Sequence, residues 1–194
     1  MSTPRDLERR ALSLVSGWLL SLPHDMRVLF EAKDDPNLER AARETAAGAI
    51  LFTLGQDRAK ETEFVEFADD AILLHLVLGA IRAQGGEGAA AFADRFSEHY
   101  ATLDEDVALV QQVFGDVYAW VAGKVEGLPR QAYKGKKLAL YIDDDEQVAV
   151  LWEDGLAFQT DFPLDEDKLA MRLKRIDTLL EPMRRKMAEE KRKI

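Results

Sequence analysis

Apolar residues recur at Leu7, Ala11, Leu14, Val15, Trp18, Leu19 and Leu22, in steps of three and four. That spacing puts them on one face of a helix. Thr3 offers a hydroxyl to the first orphan N–H groups, and Pro4 follows at a position where a missing donor costs nothing. The pattern predicts a first helix from Thr3 that ends at Pro23 and a short second helix over 25–32. A third helix starts at Asp35-Pro36 and stops at Gly55. Residues 56–63 are polar and read as a loop.

A fourth helix over 63–83 is apolar nearly all round after Asp70, the pattern of a helix central to its domain. Gly85, Gly86 and Gly88 end it. Two further helices are predicted over 89–101 and 106–125, the second with Val110, Phe114, Val117 and Val121 as its stripe. Gly127-Leu128-Pro129 closes the helical part.

Beyond this point the period changes. Leu138, Leu140 and Ile142 alternate with other residues, and so do Val148, Val150 and Trp152, then Leu156, Phe158 and Thr160. Asp143-Asp144-Asp145-Glu146 and Glu153-Asp154-Gly155 separate the three runs as turns, the second with a glycine able to take positive φ. A three-stranded antiparallel meander needs a helix over its apolar face. Leu169, Leu173, Ile176, Leu180, Met183 and Met187 supply one, and Pro182 is expected to kink or split it. The predicted fold is mainly α, a multi-helix bundle followed by a β-meander packed on a C-terminal helix, α+β overall. A helical domain over 1–128 is followed by an appendage over 129–194.

A chain of 194 residues with 47% hydrophobic and 32% charged residues can build one substantial core. The absence of cysteine excludes disulfides, thiolate metal sites and a cysteine nucleophile. The N-terminus lacks the apolar run of an export signal, so a cytoplasmic location is expected. The longest strongly apolar run, 71–81, is too short for a bilayer span of about 20 residues. A net charge of -10 disfavours nucleic acid and anionic membranes as partners. The 184–194 tail, with six basic residues against Glu189 and Glu190, is opposite in sign to the rest.

No nucleophile elbow, Walker loop, dinucleotide fingerprint or His-Glu-x-x-His spacing is present. His24, His75 and His99 are scattered. Asp69, Asp70 and His75 form the one candidate polar cluster, because a carboxylate pair and an imidazole on an apolar helix can do acid–base work. Helical geometry argues against their meeting: His75 lies about 140° round from Asp70 and about 120° from Asp69. A site there would need residues from another helix. The acidic run at 143–146 lacks the alternating ligands, glycine and distal glutamate of a calcium loop.

Asp35-Pro36, the alanine-rich 46–54 segment and Phe67-Ala68-Asp69-Asp70-Ala71-Ile72-Leu73-Leu74 resemble the layout of the YkvA-like family of bacterial domains of unknown function. The likeness covers about residues 22–81 and implies a fold, not a reaction. In that family a proline- and isoleucine-rich loop precedes the Asp pair, and Gln56-Asp57-Arg58-Ala59-Lys60-Glu61 stands there instead. The sequence therefore points to a non-enzymatic binding or adaptor protein, with no catalytic residue, cofactor or metal. Leu169, Leu173, Ile176 and Leu180 are the candidate surface for a protein partner or self-association. The alternative is a metal-dependent or hydrolytic module using Asp69 and Asp70.

Overall fold

The computed structural model describes residues 3–56, 64–163 and 166–192. Helix α1 spans Pro4–Asp34. Thr3 caps it as expected: its hydroxyl accepts from the Asp6 N–H at 3.2 Å while the Asp6 carboxylate accepts from the Thr3 N–H at 3.3 Å. Contrary to expectation, Pro23 does not end this helix. An interior proline costs about 3 kcal/mol. Leu19 and Leu22 before it and Met26, Leu29 and Phe30 after it are all buried, and burying a large apolar side chain contributes about 1.5–3 kcal/mol. Tertiary packing on both sides of the proline outweighs its local cost.

Helix α2 (Arg40–Gly55) follows, and a 3-10 turn (Phe64–Phe67) leads into α3 (Ala68–Gln84). The predicted loop at 56–63 falls, after Gln56, outside the described residues. Helices α1, α2 and α3 pack on one another, and α3 also touches the helices that follow, which accounts for its nearly all-round apolar character. The next two predicted helices are each divided: α4 (Gly88–Arg95) from α5 (Ser97–Tyr100), and α6 (Leu103–Phe114) from α7 (Asp116–Ala122). Gly115, with φ of 51°, makes the second break.

The predicted meander is not formed. A 3-10 helix (Val125–Arg130) precedes a two-stranded hairpin of β1 (Ala132–Tyr133) and β2 (Lys136–Lys137), joined by Lys134 and Gly135 at positive φ. The three runs read as strands lie instead around and within α8 (Leu140–Asp143) and α9 (Asp145–Asp161). Asp144, expected in a hairpin turn, caps α9 by accepting from the Gln147 N–H at 3.0 Å. Asp143 pairs with Arg40 of α2. Leu151, Gly155, Phe158 and Phe162 are spaced four, three, four and form the packed face, a helical period overlaid on the strand-like alternation. Gly155 makes no turn: a Cβ there would stand 2.5 Å from the Phe30 ring, so its bareness lets α9 lie close against α1.

The final helix is split into α10 (Glu166–Arg172) and α11 (Asp177–Lys191). The break falls before Asp177, and Pro182 sits buried inside α11. Leu179, Leu180 and Met183 join the same hydrophobic core as α1–α3, as do Tyr141, Leu151 and Phe158. Basic residues of α11 meet acidic residues of the body: Arg185 with Glu66, Lys186 with Asp69, and Glu190 with Lys124 in the reverse sense. No helix among the described residues is long and apolar enough to cross a membrane.

Two stability predictions follow from this packing. A Cβ on Gly48 would lie 2.1 Å from the Leu128 carbonyl oxygen. Gly48→Ala should therefore destabilise by about 3 kcal/mol in urea denaturation, although helix propensity alone favours alanine by about 1 kcal/mol. Lys33 is fully buried beside Asp34, and burial pushes its ammonium pKa down. Lys33→Met combined with Asp34→Asn, which removes both charges and keeps an acceptor for Trp152, should leave stability unchanged or raise it by about 1–3 kcal/mol at neutral pH, and a lower melting temperature would contradict this.

Candidate functional site

Trp18, Ser21 and Asp25 follow one another at three and four residues on α1, so they share a face. Because α1 runs unbroken through Pro23, that face carries Asp25 into the interior, where it is only 2% exposed. A buried carboxylate must be hydrogen-bonded or paired. Asp25 Oδ2 accepts from the Ser21 hydroxyl at 2.6 Å, and Oδ1 lies 2.9 Å from Nε2 of His99 on α5. An ionised carboxylate only accepts, which puts the His99 proton on Nε2 and leaves Nδ1 as the bare nitrogen of the neutral ring. Nδ1 is buried and without a hydrogen-bond partner among the described residues. Glu98 Oε1 is 3.5 Å away from it, longer than a well-formed hydrogen bond.

His75 of α3 reaches the same carboxylate from the other side. Its Nδ1 donates to the Ala71 carbonyl at 2.8 Å, its ring stacks on Trp18 at 3.9 Å, and its Nε2 stands 3.9 Å from Asp25 Oδ2. The two imidazoles are driven in opposite directions. Burial pushes the His75 pKa down, with Asp25 opposing. The hydrogen bond to Asp25 holds the His99 pKa up, with burial opposing. His24, one residue before Asp25, lies on the outer side with its ring centroid 5.5 Å from that of His99. Thr102 and Asp106, hydrogen-bonded to each other at 2.6 Å, complete the rim. Together these groups line a cleft of about 270 Å³.

Among the described residues, Asp69, Asp70 and His75 of the sequence-selected polar cluster engage different partners. Asp69 accepts from Lys186 Nζ at 3.0 Å, and Asp70 Oδ1 accepts from Thr53 Oγ1 and Gln56 Nε2, each at 3.0 Å. The two carboxylates thus serve separate partners, as their angular separation on α3 predicts, while His75 turns to α1 and α5. Of the apolar positions selected on the final helix, Leu169 and Leu180 are buried in the chain's own core, and Leu173 and Ile176 pack partly buried against it. Sequence reasoning passed over Asp25, Ser21, His24 and His99 as a group. The signal available was the Trp18–Ser21–Asp25 spacing, hidden by ending the helix at Pro23.

The imidazole shifts give a pH dependence whose sign differs between the two rings. The lowered His75 pKa yields stability that is fully present above about pH 6.5 and is lost as pH falls through the folded-state value. The raised His99 pKa yields stability present below about pH 6.5 and lost as pH rises through its folded-state value. His75→Phe keeps a ring against Trp18 and removes the first contribution alone. Denaturant titrations should therefore show wild type losing more stability than His75→Phe between about pH 6.5 and 5. A difference that stays constant with pH would contradict the assignment.

Comparison of the chain with protein-family models, with curated proteins and with solved structures gave no match, so the functional reading rests on the cleft itself.

Proposed function

We propose that the protein is a non-enzymatic binding protein that takes a small cation in the cleft between α1, α3, α5 and α6. The observation that carries this reading is the buried Nδ1 of His99, which has no hydrogen-bond partner among the described residues and is the bare acceptor of the neutral ring when Nε2 donates to Asp25. Around it stand Glu98 and Asp106, so the rim is rich in acceptors and negative charge. Such a site attracts a cation or a strong hydrogen-bond donor. The acidic balance of the whole chain acts in the same direction.

Binding is favoured over hydrolysis by the geometry of Ser21. Its hydroxyl donates to Asp25 instead of to an imidazole, so Ser21 is not paired with a histidine base. The alternative reading, a metal-dependent or hydrolytic module using Asp69 and Asp70, gains no support from two carboxylates engaged with different partners. A self-association surface on the final helix is likewise less supported where its leucines are already packed inward.

Trp18 provides the readout, because it stacks on His75 at the cleft wall. In a Trp120→Phe, Trp152→Phe background, its fluorescence should change saturably with at least one member of a panel of ammonium, guanidinium, putrescine, Mg²⁺ and Zn²⁺. Glu98→Gln, at an exposed position, should weaken that response about tenfold, the worth of one charge-assisted contact. A flat response across the panel removes the reading.

A further inference from the structure

We propose that His24, Glu98 and His99 form a site for a divalent transition metal, with Asp25 as its positioning carboxylate; this rests on the reading that the cleft takes a cation. One ligand atom from each of the three residues lies within 4.8 Å of the other two. That alone would be a surface cluster. The independent observation is His99, whose side chain is 6% exposed and whose Nδ1 has no hydrogen-bond partner among the described residues. Leaving a buried nitrogen unsatisfied is costly, so its environment calls for a partner.

Asp25 completes the arrangement. Metal-binding histidines characteristically donate their other ring N–H to a carboxylate, which fixes the tautomer and increases ligand basicity. Here His99 Nε2 is 2.9 Å from Asp25 Oδ1, and Asp25 is itself anchored by Ser21. The lone pair of Nδ1 is thereby directed to the side where Glu98 Oε1 stands at 3.5 Å. His24 stacks beside the same ring.

The separations suit closure around an ion. Ligands held at 2.0–2.1 Å in a tetrahedron stand about 3.3 Å apart. His24 and Glu98 are exposed and can turn inward by the remaining ångström or so, while His99 is held by the core. Two imidazoles and one carboxylate select Zn²⁺ or Co²⁺ over Mg²⁺ and Ca²⁺, which prefer oxygen ligands throughout. Three protein ligands leave a fourth position for solvent or an exogenous ligand. His75 is not a ligand, since its Nδ1 is committed to Ala71 and its Nε2 faces Asp25.

The test uses the untagged full chain and Co²⁺ alone, followed by visible absorption and by metal-to-protein ratio after gel filtration. One Co²⁺ per chain with the intense spectrum of four-coordinate cobalt is expected, displaced by one equivalent of Zn²⁺. His24→Ala and Glu98→Gln, both at exposed positions, should each lower Co²⁺ affinity at least tenfold without changing the metal-free melting temperature. Asp25→Asn should lower it by about 10–100-fold and alter the cobalt spectrum, a change that loss of packing alone would not produce. Unchanged affinity in His24→Ala and Glu98→Gln, a weak six-coordinate spectrum, or binding abolished instead by Asp70→Asn would overturn the proposal. If Co²⁺ and Zn²⁺ fail while an organic cation still perturbs Trp18, only the metal assignment falls; if every cation fails, the cleft reading falls with it.

Discussion

The hydrogen bonds to the buried Asp25 carboxylate organise one end of this molecule. A carboxylate removed from water must be compensated by donors, and here they come from Ser21 on its own helix and from His99 on α5. That requirement fixes the position of α5 against α1 and orients the His99 ring. It also places the lowered-pKa His75 and the raised-pKa His99 on either side of one negative charge. Environments that push neighbouring titratable groups apart mark places where a chain has conceded some stability, and they are over-represented at working sites.

The rest of the fold is held by packing in which small residues decide how near helices can lie. Gly48 lets the backbone around Leu128 press onto α2, and Gly155 lets α9 press onto Phe30 of α1. These contacts, with the burial of Leu151, Phe158, Leu179 and Met183, join the C-terminal segment to the core built by α1, α2 and α3. Charge adds direction to this docking. Arg185 and Lys186 of α11 engage Glu66 and Asp69 at the start of α3, the opposite signs that the sequence assigns to tail and body. Lys186 thereby engages one member of the aspartate pair, and Thr53 and Gln56 the other.

The sequence by itself determined what depends on local chemistry and helical period. The Thr3 cap, the stop of α2 at Gly55, the central character of α3 and the divergence of Asp69 from Asp70 were all legible, because each follows from neighbours within a turn or two. Tertiary structure alone decided the continuity of α1 through Pro23, where burial on both sides overcame a local penalty. It also decided that 145–161 is a helix: the alternating Val148, Val150 and Trp152 fit a strand equally well, and only the fit of Leu151, Gly155 and Phe158 against α1 and the core selects the helical period. The histidine cleft belongs to that second class, for Asp25, His75 and His99 lie far apart in sequence and meet only when three helices close on one buried charge.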